Sequence, residues 1–201
     1  MPVTPRGTAV FPHLNTPDTK FDENGVYSTK LALSDEAAAE LSDELTAAHE
    51  AAYQRHCKEQ KKTKLKKFDL PMEDELSQDG EPTGNTLFKF KSKARTAKGV
   101  ARKIVLVDAK KKPLTEHIGG GSQIKINYRI TDWYVPALGV GLSLQINGVQ
   151  VLDLKENSSG NADAMFDEED GFESSGETAE SVADSFSSSH EESDGDIPED
   201  F

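Results

Sequence analysis

Leu142-Ser143-Leu144-Gln145-Ile146-Asn147-Gly148-Val149-Gln150-Val151-Leu152-Asp153-Leu154 alternates apolar and polar residues as a half-buried strand does, but the alternation changes phase at Asn147-Gly148. Leu142, Leu144 and Ile146 share one face, and beyond the dipeptide Val149 and Val151 take over. Asn-Gly admits two readings, a two-residue hairpin turn or a bulge within one long strand. The bulge is favoured, because a small closed barrel needs strongly bent strands.

The preceding segments carry the same period. Gln123 to Tyr134 is the longest alternating run, with Ile124, Ile126, Tyr128 and Ile130 on one face and Lys125, Asn127, Arg129 and Trp133 on the other. Ile104 to Val107 is a short apolar strand leading into a Lys110–Pro113 turn. In Leu87 to Lys93, Phe88 and Phe90 point one way and Lys89, Lys91 and Lys93 the other. Gly25 to Leu33 is a strand with Lys30 outward, and Gly7 to Phe21 a short strand followed by an irregular, proline-fixed loop. One helix interrupts them. Ser34 is its expected N-cap, Asp35 and Glu36 suit its first turn, and Ala38, Leu41, Leu45, Ala48 and Ala52 form one apolar stripe. It is expected to fray within Lys58 to Lys67, before an acidic loop from Asp69 to Gly84. With no βαβ pattern, the fold expected is mainly β with one long helix (α+β): an OB-fold, a five-stranded Greek-key barrel over residues 1–155. The helix and acidic loop (34–84) are inserted between its strands.

Charge divides the chain in two. Residues 156–201 hold 16 of the 36 acidic residues and no Lys or Arg, so this 46-residue segment is −16, whereas residues 1–155 are +3. Ser, Gly, Asp and Glu offer too little apolar surface to offset the ordering of a backbone, so a disordered acidic C-terminal tail is expected. Phe166, Phe172, Phe186 and Phe201 punctuate it. Between Asn85 and Thr131 lie 12 basic residues (Lys89, Lys91, Lys93, Arg95, Lys98, Arg102, Lys103, Lys110, Lys111, Lys112, Lys125, Arg129), opposed only by Asp108 and Glu116. The overall pI of 4.8 therefore hides a basic region that suits a polyanion. One cysteine, Cys57, excludes an intrachain disulfide, and no signal peptide or membrane-length apolar run is present. A soluble cytoplasmic protein is expected.

No catalytic constellation is visible. The five histidines are scattered and one cysteine cannot build a zinc cluster, so neither metal nor cofactor is expected. His49 and His56 share a helix seven residues apart, and Cys57 next to His56 cannot face it. Gly119-Gly120-Gly121-Ser122 resembles a phosphate cradle only faintly: it lacks a Gly-Lys-Ser/Thr ending and precedes a strand. What remains is a basic strand face with aromatics. Lys89, Lys91, Lys93, Lys125 and Arg129 suit phosphates, and Trp133 is either a ring on which a base stacks or packing at the barrel rim. Phe88, Phe90 and Tyr128 are expected in the core.

Several blocks resemble phage-encoded single-stranded DNA-binding proteins: Ala9-Val10-Phe11-Pro12-His13-Leu14-Asn15-Thr16-Pro17-Asp18-Thr19-Lys20-Phe21, Val107-Asp108-Ala109-Lys110 with Pro113, Gly120-Gly121-Ser122, and Gly141–Leu154. The resemblance implies an OB-fold that binds single-stranded DNA in phage replication, recombination and repair, within the host cytoplasm. It also implies an acidic tail that recruits replication proteins (a DNA polymerase or helicase-primase) and competes with DNA. Asp196-Ile197-Pro198-Glu199-Asp200-Phe201 matches that type of ending. It is similar, too, to the Asp-Ile-Pro-Phe ending of bacterial single-stranded DNA-binding proteins, with Glu199-Asp200 interposed.

The expectation is thus a non-enzymatic protein that binds single-stranded DNA without sequence preference. The rival is an acidic-tailed adaptor or chaperone for basic protein partners that binds no DNA. Whether it is a monomer or a homodimer the sequence leaves open.

Overall fold

The computed structural model describes residues 1–77, 79–96 and 99–155. Among them are seven strands and one helix: β1 (Gly7–Asp18), β2 (Val26–Ser34), α1 (Asp35–Glu59), β3 (Met72–Leu76), β4 (Pro82–Lys93), β5 (Val105–Val107), β6 (Gln123–Val135) and β7 (Gly139–Asp153). Five of the strands close a barrel. β1 pairs antiparallel with β2, β2 with β4, β6 with β7 and β1 with β6, while β4 meets β7 in parallel at Phe90 and Leu144. This is the mainly β, five-stranded architecture expected, with β3 added at the outer side of β4 and β5 beside β7.

β7 is a single strand, and the Asn147-Gly148 phase change is a bulge. Asn127 of β6 faces Gly148 and the next residue, Tyr128, faces Ile146, so Asn147 is the extra residue. The bulge lets Leu142, Leu144 and Ile146 and then Val149 and Val151 all reach the interior, where each is 5 % exposed or less. Phe88, Phe90, Ile124, Ile126 and Tyr128 join them, so the core assignments hold.

Helix α1 buries Ala38, Leu41, Leu45, His49 and Ala52 against the barrel. Ser34 stands at the N-cap position in extended conformation, yet its side chain makes no capping hydrogen bond. The helix ends at Glu59, at the start of the Lys58–Lys67 stretch where its end is expected. Lys61 enters the left-handed region (φ 51°), and the Lys61 and Lys62 amides close the end on the Lys58 and Cys57 carbonyls.

Two sequence expectations need correction. The Asp69–Gly84 segment is not all loop: Met72–Leu76 pairs with β4, whose extra length back to Pro82 gives it a partner. Likewise the irregular part of Gly7–Phe21 remains strand to Asp18, with the pairing register slipping between Val10 and His13 around Phe11. Proline and polar residues at these places fit bulged or edge strands as well as loops.

Candidate nucleic-acid interface

On the outer face of β2 and β4, cross-strand pairing stacks Ala32 on Leu87, Lys30 on Lys89, Ser28 on Lys91 and Val26 on Lys93. Interior residues alternate with these, so the barrel core itself aims the β4 lysines outward. Across the parallel β4–β7 contact, the outer face continues with Ser143 and Gln145 of β7 and with Arg129, Thr131 and Trp133 of β6. These two faces form an open groove of about 660 Å³, with Lys91 and Lys93 on one wall, Thr131, Ser143 and Gln145 on the floor and Trp133 opposite. Asp22, from the β1–β2 connection, and Leu138, from the β6–β7 turn, line it too.

The structure shows the rim packing of Trp133. Its cross-strand partner is Gly141, and a Cβ there would collide with the indole ring, so the ring lies flat across β7. Phe68 packs on it at 5.2 Å between centroids, tilted by 58°. Phe68 is placed by its own amide donating to the Val140 carbonyl, 2.8 Å, as Lys66–Phe68 passes beside Gly139. The indole is thus packed at the barrel rim and also lines the groove.

Two acidic residues, Asp22 and Asp132, line the groove, and Asp132 is neutralised by a cation. Asp132 is paired with the Arg55 guanidinium and lies 2.7 Å from His56 Nε2. The Arg55 hydrogen bond first, and His56 after it, hold the Asp132 carboxyl below the usual carboxylate range despite partial burial. The other His56 nitrogen is 3.1 Å from Glu59, and the ring stacks on Tyr134 at 5.8 Å. Asp22 accepts from the Asn24 amide and side chain. Beneath the barrel, the Tyr128 hydroxyl donates to Glu44 at 2.7 Å, and burial first, then that carboxylate, raises its pKa.

The twelve basic residues do not share one surface. Lys91 and Lys93 line the groove and have no ion-pair partner among the described residues, and Arg129 donates to the groove residue Gln145 at 2.8 Å. Lys89 is on the same face but lies 2.6 Å from Glu73 of β3. Arg102 donates to the Ile146 carbonyl and to Asn147 Oδ1, both at 3.3 Å, and so braces the β7 bulge. Arg95 sits in the hairpin formed as the Arg102 amide bonds to the Ala94 carbonyl.

Lys103 borders a hollow beside Ile104 and Leu106. The Lys110 and Lys112 amides donate to Asp108 Oδ1, which shapes the turn that carries Lys111 at φ 65°. Lys111 and Lys125 flank a second concavity, about 370 Å³, walled by Val3, Val105, Val107 and Val149. Lys98 and the terminal Asp196, Ile197, Pro198, Glu199, Asp200 and Phe201 lie outside the described residues.

Other readings resolve similarly. The Gly119–Ser122 turn is not a phosphate cradle: the Gly119, Gly121 and Ser122 amides donate to the Lys155, Ala9 and Gly119 carbonyls. His49 is buried with Nε2 2.9 Å from the Val140 carbonyl, and Cys57 is buried. Among the described residues no group of His, Cys, Asp and Glu could hold a metal ion, and no helix is long and apolar enough to cross a membrane.

Sequence reasoning missed the groove floor (Thr131, Ser143, Gln145), the Arg55–His56 neutralisation of Asp132 and Phe21. Phe21, 89 % exposed beside Asp22, has the Lys20 ammonium 5.5 Å from its ring centroid. Strand alternation gives the facing of the floor residues, but their convergence depends on the β4–β7 contact, which has no local signature.

Residues 7–154 match the family model described as single-stranded DNA-binding protein, bacteriophage T7. A single-stranded DNA-binding protein of Enterobacteria phage T3 is 31% identical over 198 residues, 87% of this chain and 85% of that protein. The crystal structure of gp2.5, a single-stranded DNA-binding protein encoded by bacteriophage T7, superposes with a TM-score of 0.64 at 28% identity, covering 86% of this chain and 97% of that one. The fold is shared as well with the single-stranded DNA-binding protein of bacteriophage Enc34 in complex with single-stranded DNA, at a TM-score of 0.55 and 14% identity, over 77% of this chain and 86% of that one.

Proposed function

The chain belongs to the family of the bacteriophage T7 single-stranded DNA-binding protein, a family of DNA-binding proteins and not enzymes, and from that premise we propose that it binds single-stranded DNA without sequence preference along the groove between β4 and β6–β7. The observation that carries the reading is Lys91 and Lys93 facing Trp133 across one open groove. Lysines meet backbone phosphates, the Trp133 and Phe68 rings receive a base, and the polar floor offers hydrogen bonds to any base edge. Phosphate neutralisation releases counterions, so affinity falls steeply with salt, while stacking on a base requires an unpaired strand. Titrating the protein with an oligothymidylate and with a duplex of equal length, at several salt concentrations, tests this. Preference for the single strand with a negative salt slope is expected; equal affinity for duplex, or no salt dependence, would overturn it.

The role extends to phage DNA replication, recombination and repair, with residues 156–201 limiting access to DNA and recruiting replication proteins such as a polymerase or helicase-primase through Asp196–Phe201. The competition rests on composition, since 16 carboxylates without one lysine or arginine compete with phosphate for the same lysines; the replication role and the recruitment rest on the family resemblance. Removing residues 156–201 is expected to tighten DNA binding about tenfold at low salt and to abolish capture of the purified polymerase or helicase-primase. A truncated protein that binds no DNA would restore the adaptor reading.

A further inference from the structure

The Lys30–Glu73–Lys89 cluster does more than balance charge. Lys30 and Lys89 stand directly opposite each other on antiparallel strands, an arrangement of like charges that is unfavourable by itself. Glu73 resolves it from a third strand: Oε1 lies 2.7 Å from Lys30 Nζ and Oε2 2.6 Å from Lys89 Nζ. Each carboxylate oxygen serves one ammonium, much as two non-bridging oxygens of a phosphodiester would. Glu73 carries the same single negative charge as a phosphodiester.

The cluster lies on the line of the groove lysines. Lys89, Lys91 and Lys93 alternate along one face of β4, spaced by about 6.6–6.8 Å, a step comparable to that between successive phosphates of an extended strand. All three side chains of the cluster stay open to solvent, with 36%, 38% and 49% of the Lys30, Glu73 and Lys89 side chains exposed. An exposed pair of this kind is weakly held and screened by salt. Glu75 of β3 does not share the task, since it accepts from Thr83 and Asn85 instead.

Resting on the DNA-binding reading above, we propose that Lys30 and Lys89 form a further phosphate subsite of the β2–β4 face, occupied in the free protein by the Glu73 carboxylate as a built-in competitor. DNA that runs past Lys93 and Lys91 reaches this pair next and displaces Glu73. A single nucleotide or a weak polyanion, lacking the neighbouring contacts, does not. The subsite thereby favours long single strands over short anions.

Glu73→Gln preserves size and one acceptor oxygen, but removes the charge and turns the second acceptor into an amide donor. In the full-length protein it is expected to bind a long oligothymidylate about three- to tenfold tighter near 0.1 M salt, with the log–log salt slope little changed, because DNA already displaces Glu73 in the wild type. Lys30→Gln, which leaves Lys89 to hold Glu73, is expected to make the slope shallower by about 0.7, and in the Glu73→Gln background it cancels most of the gain. Thermal melts of each variant show whether β3 stays in place. If wild-type protein binds but Glu73→Gln binds no tighter and Lys30→Gln leaves the slope unchanged, the subsite is overturned while the groove reading stands. If wild-type protein itself shows no single-strand preference, the groove reading fails first. Should Glu73→Gln melt early, the Lys30→Gln slope alone decides.

Discussion

Two concavities on this barrel draw on the same basic run yet differ in kind. The groove with Lys91, Lys93 and Trp133 has a polar floor and a flat aromatic wall. The hollow with Lys111 and Lys125 is walled by valines and by the bulged end of β7. Both lie along the outer face of the β6–β7 pair, and Arg129, bonded to the groove residue Gln145, falls between them. Charge alone therefore does not distinguish the two concavities. A strand of nucleotides needs cations in a row and a ring face beside them, and only the first concavity supplies both.

The largest expected effect pits the two directly. Lys91→Glu with Lys93→Glu should weaken oligothymidylate binding by about 30- to 100-fold near 0.1 M salt, whereas Lys111→Glu with Lys125→Glu should cost about threefold or less. Fluorescence titration of both double variants checks this. Equal losses would erase the distinction between the two surfaces.

Next comes Gly141→Ala, which acts on the ring without touching a charge. The added Cβ displaces the indole, so overpacking of about 1–3 kcal/mol should appear in urea unfolding. DNA affinity should drop about tenfold through lost stacking. Because Trp133 is the chain's single tryptophan, its emission reports the displacement directly. An unshifted spectrum with unchanged affinity would remove the indole from the interface.

The smallest effect on binding is expected from Arg102→Ala. Its guanidinium bonds to Ile146 and Asn147, so the loss should be about 1–2 kcal/mol of folding stability, with DNA affinity changed by about twofold or less. A variant that folds normally but binds DNA poorly would move Arg102 from the bulge to the interface.

Much of the barrel was legible because strands with one buried face must alternate. The phase change at Asn147-Gly148 pointed to a bulge in one strand, and Phe88 and Phe90 pointed inward with Lys89, Lys91 and Lys93 outward, as found. β3 was not legible: Met72-Glu73-Asp74-Glu75-Leu76 is acidic, has little apolar alternation and becomes a strand only because β4 offers it an open edge. For the same reason the partner of Lys89 was hidden, since Glu73 lies 16 positions away and belongs to a different strand.

The sequence by itself determined the composition of the protein's parts: a core with a basic middle, an acidic end without a single lysine or arginine, and strands whose inward and outward residues were fixed by a period of two. Tertiary structure decided which outward residues meet. The parallel contact of β4 with β7 places Lys91 and Lys93 across from Trp133, and the β7 bulge claims Arg102. Periodicity is a property of one strand and is written locally, whereas a groove is a relation between strands distant in sequence, set by register and closure.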